Sequence, residues 1–154
     1  MTGKTHLAAG ITTAVFLCCN IPQITIVALG AVLPDIDHEK SALGHYVPII
    51  SKHIHHRTVT HSIFFLLICS AISPYLGIGV LTHIILDMFN TRGIQLFWPL
   101  KKSIKVPIMS IHTGKKFESI IYVLCMLLLA LGLGYYHYKV GILNIVNFTT
   151  ITWK

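Results

Sequence analysis

Leu33-Pro34-Asp35-Ile36-Asp37-His38 sets two carboxylates and an imidazole directly after an uncharged, apolar run. Two later stretches answer it, His55-His56-Arg57-Thr58-Val59-Thr60-His61-Ser62 and Thr82-His83-Ile84-Ile85-Leu86-Asp87. The chain has only five acidic residues, Asp35, Asp37, Glu39, Asp87 and Glu118, and all but Glu118 lie in or beside these stretches. Acids this scarce, gathered next to histidines in an oily chain, mark a site.

Outward from that cluster the composition bounds the class. Of 154 residues, 54% are hydrophobic and 11% charged, against roughly 25% charged in soluble domains. The chain reads as a membrane protein. Met1-Thr2-Gly3-Lys4 leads into an apolar run with no small-residue cleavage pattern, so the first helix is expected to stay attached. Cys18, Cys19, Cys69 and Cys125 lie inside apolar segments without paired spacing, which is the setting of small buried hydrophobes rather than of disulfides or a zinc knuckle. The net charge of +7 comes from residues that neither line one helix face nor alternate with aromatics, so a nucleic-acid partner is not expected.

No charged residue occurs between Thr5 and Pro34, and Asn20-Ile21-Pro22 divides this run into two apolar pieces, Leu7–Cys19 and Gln23–Leu33. Ser73-Pro74 divides a second uncharged run, Ser62 to Leu86, in the same way. Proline in a first helical turn after a short break predicts two antiparallel helical hairpins, 6–33 and 62–89. Each piece is shorter than the roughly 20 residues a helix needs to cross the hydrocarbon, so half-depth, re-entrant or tilted helices are expected. Residues 90–117 are basic and rich in proline and glycine, a loop or short-strand insertion. Ser119 to Tyr138 has full spanning length and ends in Tyr135-Tyr136-His137-Tyr138, an interfacial aromatic belt.

The predicted fold is therefore all-α: a polytopic membrane bundle of two short helical hairpins plus one longer C-terminal transmembrane helix. Residues 1–118 form the metal-site domain and 119–154 the C-terminal helix and tail. In this topology ten of the twelve positive residues, from Lys4 to Lys116, share one side with the 35–61 loop. The positive-inside rule makes that side cytoplasmic, with the site at the cytoplasmic helix ends.

Spacing then assigns chemistry. His83 and Asp87, at i and i+4, share one helix face, and two groups so placed can grip one ion. His56 and His61 converge if a turn or helix start lies between them, with Thr60 or Ser62 as its cap. Asp35, Asp37 and His38, just after a helix end, are further ligand candidates or solvated turn residues. His6 is either a ligand or an interfacial helix-start residue. Arg57 is either a bidentate phosphate ligand or a snorkelling cation. His45, His53 and His55 read as solvated loop residues, and His112 and His137 as interfacial ones. Mixed imidazole and carboxylate donors suit zinc, manganese or iron rather than magnesium or calcium.

His6 before an apolar run, Leu33-Pro34-Asp35-Ile36-Asp37-His38 with Lys40-Ser41, His56-Arg57-x-x-Thr60-His61-Ser62, and His83-Ile84-Ile85-Leu86-Asp87 continuing to Gly93-Ile94-Gln95-Leu96-Phe97-Trp98-Pro99 resemble the YdjM-like family of bacterial inner-membrane proteins, classed as metal-dependent hydrolases. The resemblance runs from about His6 to Glu118. It implies metal-site roles for His6, Asp35, Asp37, His38, His56, His61, His83 and Asp87. It adds Arg57, Thr60 and Glu118 as supporting or substrate-contacting residues. The family often has Gly where this chain has Thr58, a change that narrows the backbone freedom of that turn and removes no ligand. A looser likeness in motif order is to the zinc-dependent phospholipase C and single-strand nuclease superfamily, which implies a phosphoester substrate.

Together these readings lead to a multi-pass inner-membrane hydrolase with one or two transition-metal ions, zinc foremost. Metal-activated water would act on a lipid-linked phosphoester, with Asp35, Asp37 and Arg57 as catalytic residues. Two alternatives from other classes are a divalent-metal transporter or sensor, and a non-catalytic scaffold that docks acidic partners or lipid headgroups through residues 90–117.

Overall fold

Capping residues and prolines set the helix boundaries. In a computed structural model, which describes residues 1–41, 43–53, 55–106 and 112–151 (without the side chains of 50, 51, 53 and 140–151), six α-helices occur among the described residues. They are α1 (Gly3–Phe16), α2 (Ile21–Val32), α3 (Pro48–His53), α4 (Ile63–Ile72), α5 (Pro74–Met88) and α6 (Lys116–Ile151). Asn20 caps α2 reciprocally: its side chain accepts from Gln23 N at 3.0 Å, and Gln23 Oε1 accepts from Asn20 N at 2.9 Å, with Pro22 in the first turn. Ser62 Oγ accepts from Phe65 N at the start of α4, and Ser73-Pro74 separates α4 from α5. Both expected hairpins are present, α1 against α2 and α4 against α5. The first helix begins earlier than Leu7, at Gly3, because the backbone of Thr2 accepts from Thr5 and His6. That shift puts His6 inside the first turns of α1.

The hairpins join through α2 and α5, where glycines let the two backbones meet. A Cβ on Gly30 would strike the Leu76 carbonyl oxygen and come within 3.1 Å of Gly79 Cα, and one on Gly79 would strike the Val27 carbonyl oxygen. Only glycine fits at such a crossing. At the turn end of the hairpins, Gln23 Nε2 donates to Tyr75 Oη at 2.6 Å. The opposite end gathers the start of α1, the 3-10 turn Leu33–Asp37, the short 3-10 turn Val59–His61 and the end of α5. Of the basic segment, Ile94 and Ile104 form a single antiparallel bridge, and residues 107–111 lie outside the described ones, as do 152–154 of the tail.

Apolar and polar groups are distributed against the soluble pattern. His6, His61, His83 and Asp87 are among the largest fully buried side chains, whereas Ile21, Leu29, Phe64, Leu67, Ile72, Leu81 and Ile85 are exposed. An exposed apolar surface this extensive asks for an apolar surrounding. The Lys116–Lys139 part of α6 is long and apolar enough to cross a membrane, with mean hydropathy 2.1. The hairpin helices, with 10 to 15 residues, span only about 15–22 Å at 1.5 Å per residue, less than the roughly 30 Å hydrocarbon core. All four cysteines are free, Cys19 and Cys69 buried and Cys18 and Cys125 half-buried.

Candidate metal centre

Four chain segments bring their imidazoles and carboxylates to one place. His83, one turn after Gly79 on α5, lies against α2, and its Nδ1 is 2.7 Å from the Ala31 carbonyl oxygen. A carbonyl oxygen only accepts, so Nδ1 carries the proton and the lone pair of neutral His83 is on Nε2. That atom faces His61 Nε2 at 3.1 Å and Asp35 Oδ1 at 3.6 Å. A histidine whose far nitrogen donates to a fixed acceptor is the usual form of a metal ligand. His6 stacks on His83 with ring centroids 3.7 Å apart and an interplanar angle of 15°.

Three groups could hold a cation, with their donor atoms within 4.8 Å of one another: His6, His83 and Asp87; Asp35, His61 and His83; and Asp37, His56 and His61. The groups share His83 and His61, so they form one continuous cluster. Their polar atoms are satisfied unequally. Both nitrogens of His6, Asp87 Oδ2 and Arg57 Nε and Nη1 are buried without a hydrogen-bond partner. Asp87 Oδ1 instead lies 2.6 Å from the Met1 α-amino group and 3.4 Å from His6 Nε2. The His6 ring and Asp87 Oδ2 are nitrogen and oxygen donors of the kind that hold a divalent ion, whereas the Arg57 guanidinium only donates hydrogen bonds and suits an anion.

Both oxygens of Asp37 accept hydrogen bonds. Its Oδ1 accepts from His56 Nδ1 at 2.6 Å, and its Oδ2 accepts from Arg57 N at 3.1 Å and Thr60 Oγ1 at 2.5 Å, with His61 Nδ1 at 3.4 Å. Burial pushes the Asp37 carboxyl up, but hydrogen bonds from His56, His61 and Thr60 outweigh it and hold the group well below the usual carboxylate range. For His61, burial favours the neutral ring, yet the Asp37 carboxylate at 3.4 Å and the Asp87 carboxylate at 3.6 Å win and raise it to about 9. The turn that supplies these contacts is bent at Arg57, whose φ of 70° is uncommon outside glycine.

Seven of the eight ligand candidates, His6, Asp35, Asp37, His56, His61, His83 and Asp87, therefore belong to the cluster. The eighth, His38, stands beside it. Its ring is 4.7 Å from that of His56, and its Nδ1 accepts from Lys40 N at 3.2 Å. Burial and the neighbouring His56 lower its pKa. Thr60 bridges Asp37 and His61. Glu118 lies away from the ligands and fastens α6 to the start of α1, accepting from Thr2 N, Thr5 Oγ1 and Gly114 N. It thereby positions His6 from a distance. His45, His55, His112 and His137 are exposed, as their loop or interfacial reading has it, and the His53 side chain lies outside the described residues. Residue spacing gave no sign of two contributors, the Ala31 carbonyl and the Met1 amine, since backbone groups leave no residue-type signature.

Above the cluster lies a cavity of about 850 Å³, lined among others by Asp35, His38, His56 and Arg57. This volume suits a small-molecule site.

A family model described as YdjM inner membrane protein matches residues 1–143. The uncharacterized protein YvsG of Bacillus subtilis is 36% identical over 140 residues, covering 79% of this chain and 87% of that protein. The inner membrane protein YdjM of Escherichia coli is 33% identical over 159 residues, covering 83% of this chain and 79% of that protein. No solved structure matches.

Proposed function

This chain belongs to the YdjM family of inner membrane proteins, and from that premise we propose that it is a metal-dependent hydrolase acting on a lipid-linked phosphoester at the cytoplasmic membrane surface. The observation that carries the reading is the chain of three ligand groups directly beneath a cavity open to Arg57. His6, His61, His83, Asp35 and Asp87 would hold one or two divalent ions, zinc foremost. A bound ion of this kind supplies a Lewis acid and a water acidic enough to ionise near neutral pH.

The protein's own residues take the remaining roles. Asp35 is the carboxylate that lines the cavity, and it receives the proton of the attacking water as the new P–O bond forms. The ester P–O bond then breaks with its electron pair on the departing alkoxide, which is protonated from solvent. Arg57, whose Nε faces Asp87 Oδ2 at 3.3 Å and whose Nη1 has no hydrogen-bond partner, holds a phosphoryl oxygen with its guanidinium. Asp37, filled with donors, orients His56 and His61 rather than holding an ion itself. The exposed apolar faces of α2, α4 and α5 would sink the hairpins partway into the bilayer, and α6 crosses it. The positive residues at the site end would keep that end cytoplasmic.

The test is elemental analysis of detergent-purified protein followed by a phosphoester screen. Stoichiometric transition metal and hydrolysis, both lost in His83→Ala, support the proposal. Protein that binds no divalent metal at any pH between 6 and 9 ends it.

A further inference from the structure

The cavity is far more basic than a single phosphodiester requires. Lys4, Lys40, Arg57, Arg92 and Lys115 line it, and Asp35 is the lining carboxylate. Arg57 sits deepest, its side chain 12% exposed and its Nε 3.3 Å from Asp87 Oδ2. The other four stand on the exposed rim, and none pairs with a carboxylate among the described residues.

The rim is also built. Buried Asn90 donates from Nδ2 to Thr113 Oγ1 at 3.0 Å, and its Oδ1 accepts from Thr91 Oγ1 at 3.3 Å. These bonds tie the loop that carries Arg92 to the one that carries Lys115. Two basic levels result: one buried guanidinium beside the metal-ligand cluster, and four exposed cations among the residues that line the cavity. A ligand with one anionic group would occupy Arg57 and leave the exposed cations unused.

We propose that the substrate carries two linked anionic groups, a diphosphate or a phosphoester with a second phosphate. Arg57 takes the reacting phosphoryl group, and Arg92 and Lys115, with Lys4, take the second. This rests on the reading of the site as a phosphoester hydrolase and names the class of its substrate. Several cations converging on clustered phosphate charge give both affinity and selectivity over a singly charged group. The apolar lining at Leu7 and Val32 leaves a path for an alkyl chain.

The experiment is calorimetric titration of the metal-loaded, detergent-solubilised protein with orthophosphate, inorganic pyrophosphate and a short-chain alkyl diphosphate, with bound metal measured before and after each. Pyrophosphate is expected to bind at least about tenfold more tightly than orthophosphate, with metal content unchanged. In the double variant R92Q/K115Q that preference should fall to about twofold or less, while metal content and orthophosphate affinity are retained. Tighter binding of the alkyl diphosphate than of pyrophosphate would identify a lipid-linked source, and equal binding a free one; either supports two anionic groups. Equal affinity for orthophosphate and pyrophosphate, a preference untouched in R92Q/K115Q, or one that only tracks metal stripped from the protein would overturn the proposal. The hydrolase reading fails separately: if no ester is cleaved yet the pyrophosphate preference persists, catalysis is lost and the two-anion site stands.

Discussion

At the Asp37 corner of the cluster the carboxylate accepts from an imidazole, a backbone amide and a threonine hydroxyl, all supplied by residues 56–60. At the Asp87 corner, one carboxylate oxygen and both nitrogens of His6 are buried without a hydrogen-bond partner, and the charges opposite Asp87 are the Met1 amine at 2.6 Å and the Arg57 guanidinium at 3.3 Å. The first corner is complete within the protein. The second is not, and a buried polar atom left unpaired costs about 1–3 kcal/mol unless something else satisfies it. Carboxylates of one residue type in one cluster thus differ in what they have left to offer: both Asp37 oxygens accept from protein donors, and Asp87 keeps one oxygen without a hydrogen bond.

The strongest way to break this comparison is to remove a residue from the incomplete corner. Asp87→Ala or His83→Ala should weaken divalent-metal binding by more than about 100-fold, beyond the 10–100-fold range typical of orienting residues. Competition with a chromophoric chelator measures it. Asp37→Asn should fall inside that range, about 10–100-fold, with stoichiometric metal recovered at saturation. Equal losses in the two variants would erase the distinction between the corners.

A smaller effect comes from pH. His61 is raised from 6.5 to about 9, so the stability its imidazolium contributes is complete below about 6.5 and disappears as pH climbs through about 9. A metal needs the lone pair this proton covers. Apparent metal affinity should therefore climb about tenfold per pH unit up to about 9, and calorimetry in buffers of different ionisation enthalpy should show proton release on binding. The smallest effect belongs to Ser62, which caps α4 next to His61. Ser62→Ala should lower stability by about 1 kcal/mol and leave metal stoichiometry unchanged, as read by thermal unfolding and elemental analysis of the same sample.

Particular residues show how much of the site was legible. His83 and Asp87 were readable because ionisable side chains are expensive inside an apolar helix, whereas Asp35, Asp37, His56 and His61, in the polar 35–61 connection, were candidates by residue type and spacing and could equally have been solvated turn residues. His6 was readable only as an alternative, since one imidazole at a helix start has no spacing partner; its stacking on His83 pairs residues 77 positions apart. His38 was read as a ligand from its place beside Asp37, but in the 3-10 turn Leu33–Asp37 the chain becomes extended at His38 and its nitrogen turns to Lys40. Glu118, which enters through family likeness, proves to be a fastening between α1 and α6.

The order of apolar runs, breaks and caps determined the two hairpins and the long last helix, because Asn20, Pro22, Ser62, Ser73 and Pro74 act within a few residues of themselves. The chemistry of the donors likewise followed from residue type. Only the tertiary structure decided which atoms face one another: the Gly30–Gly79 crossing sets His83 against the Ala31 carbonyl, the bend at Arg57 fills Asp37 with donors, and Asp87 is left facing His6 across the bundle. Local periodicity acts over a turn or two of chain, whereas a ligand's free valence depends on contacts between residues tens of positions apart.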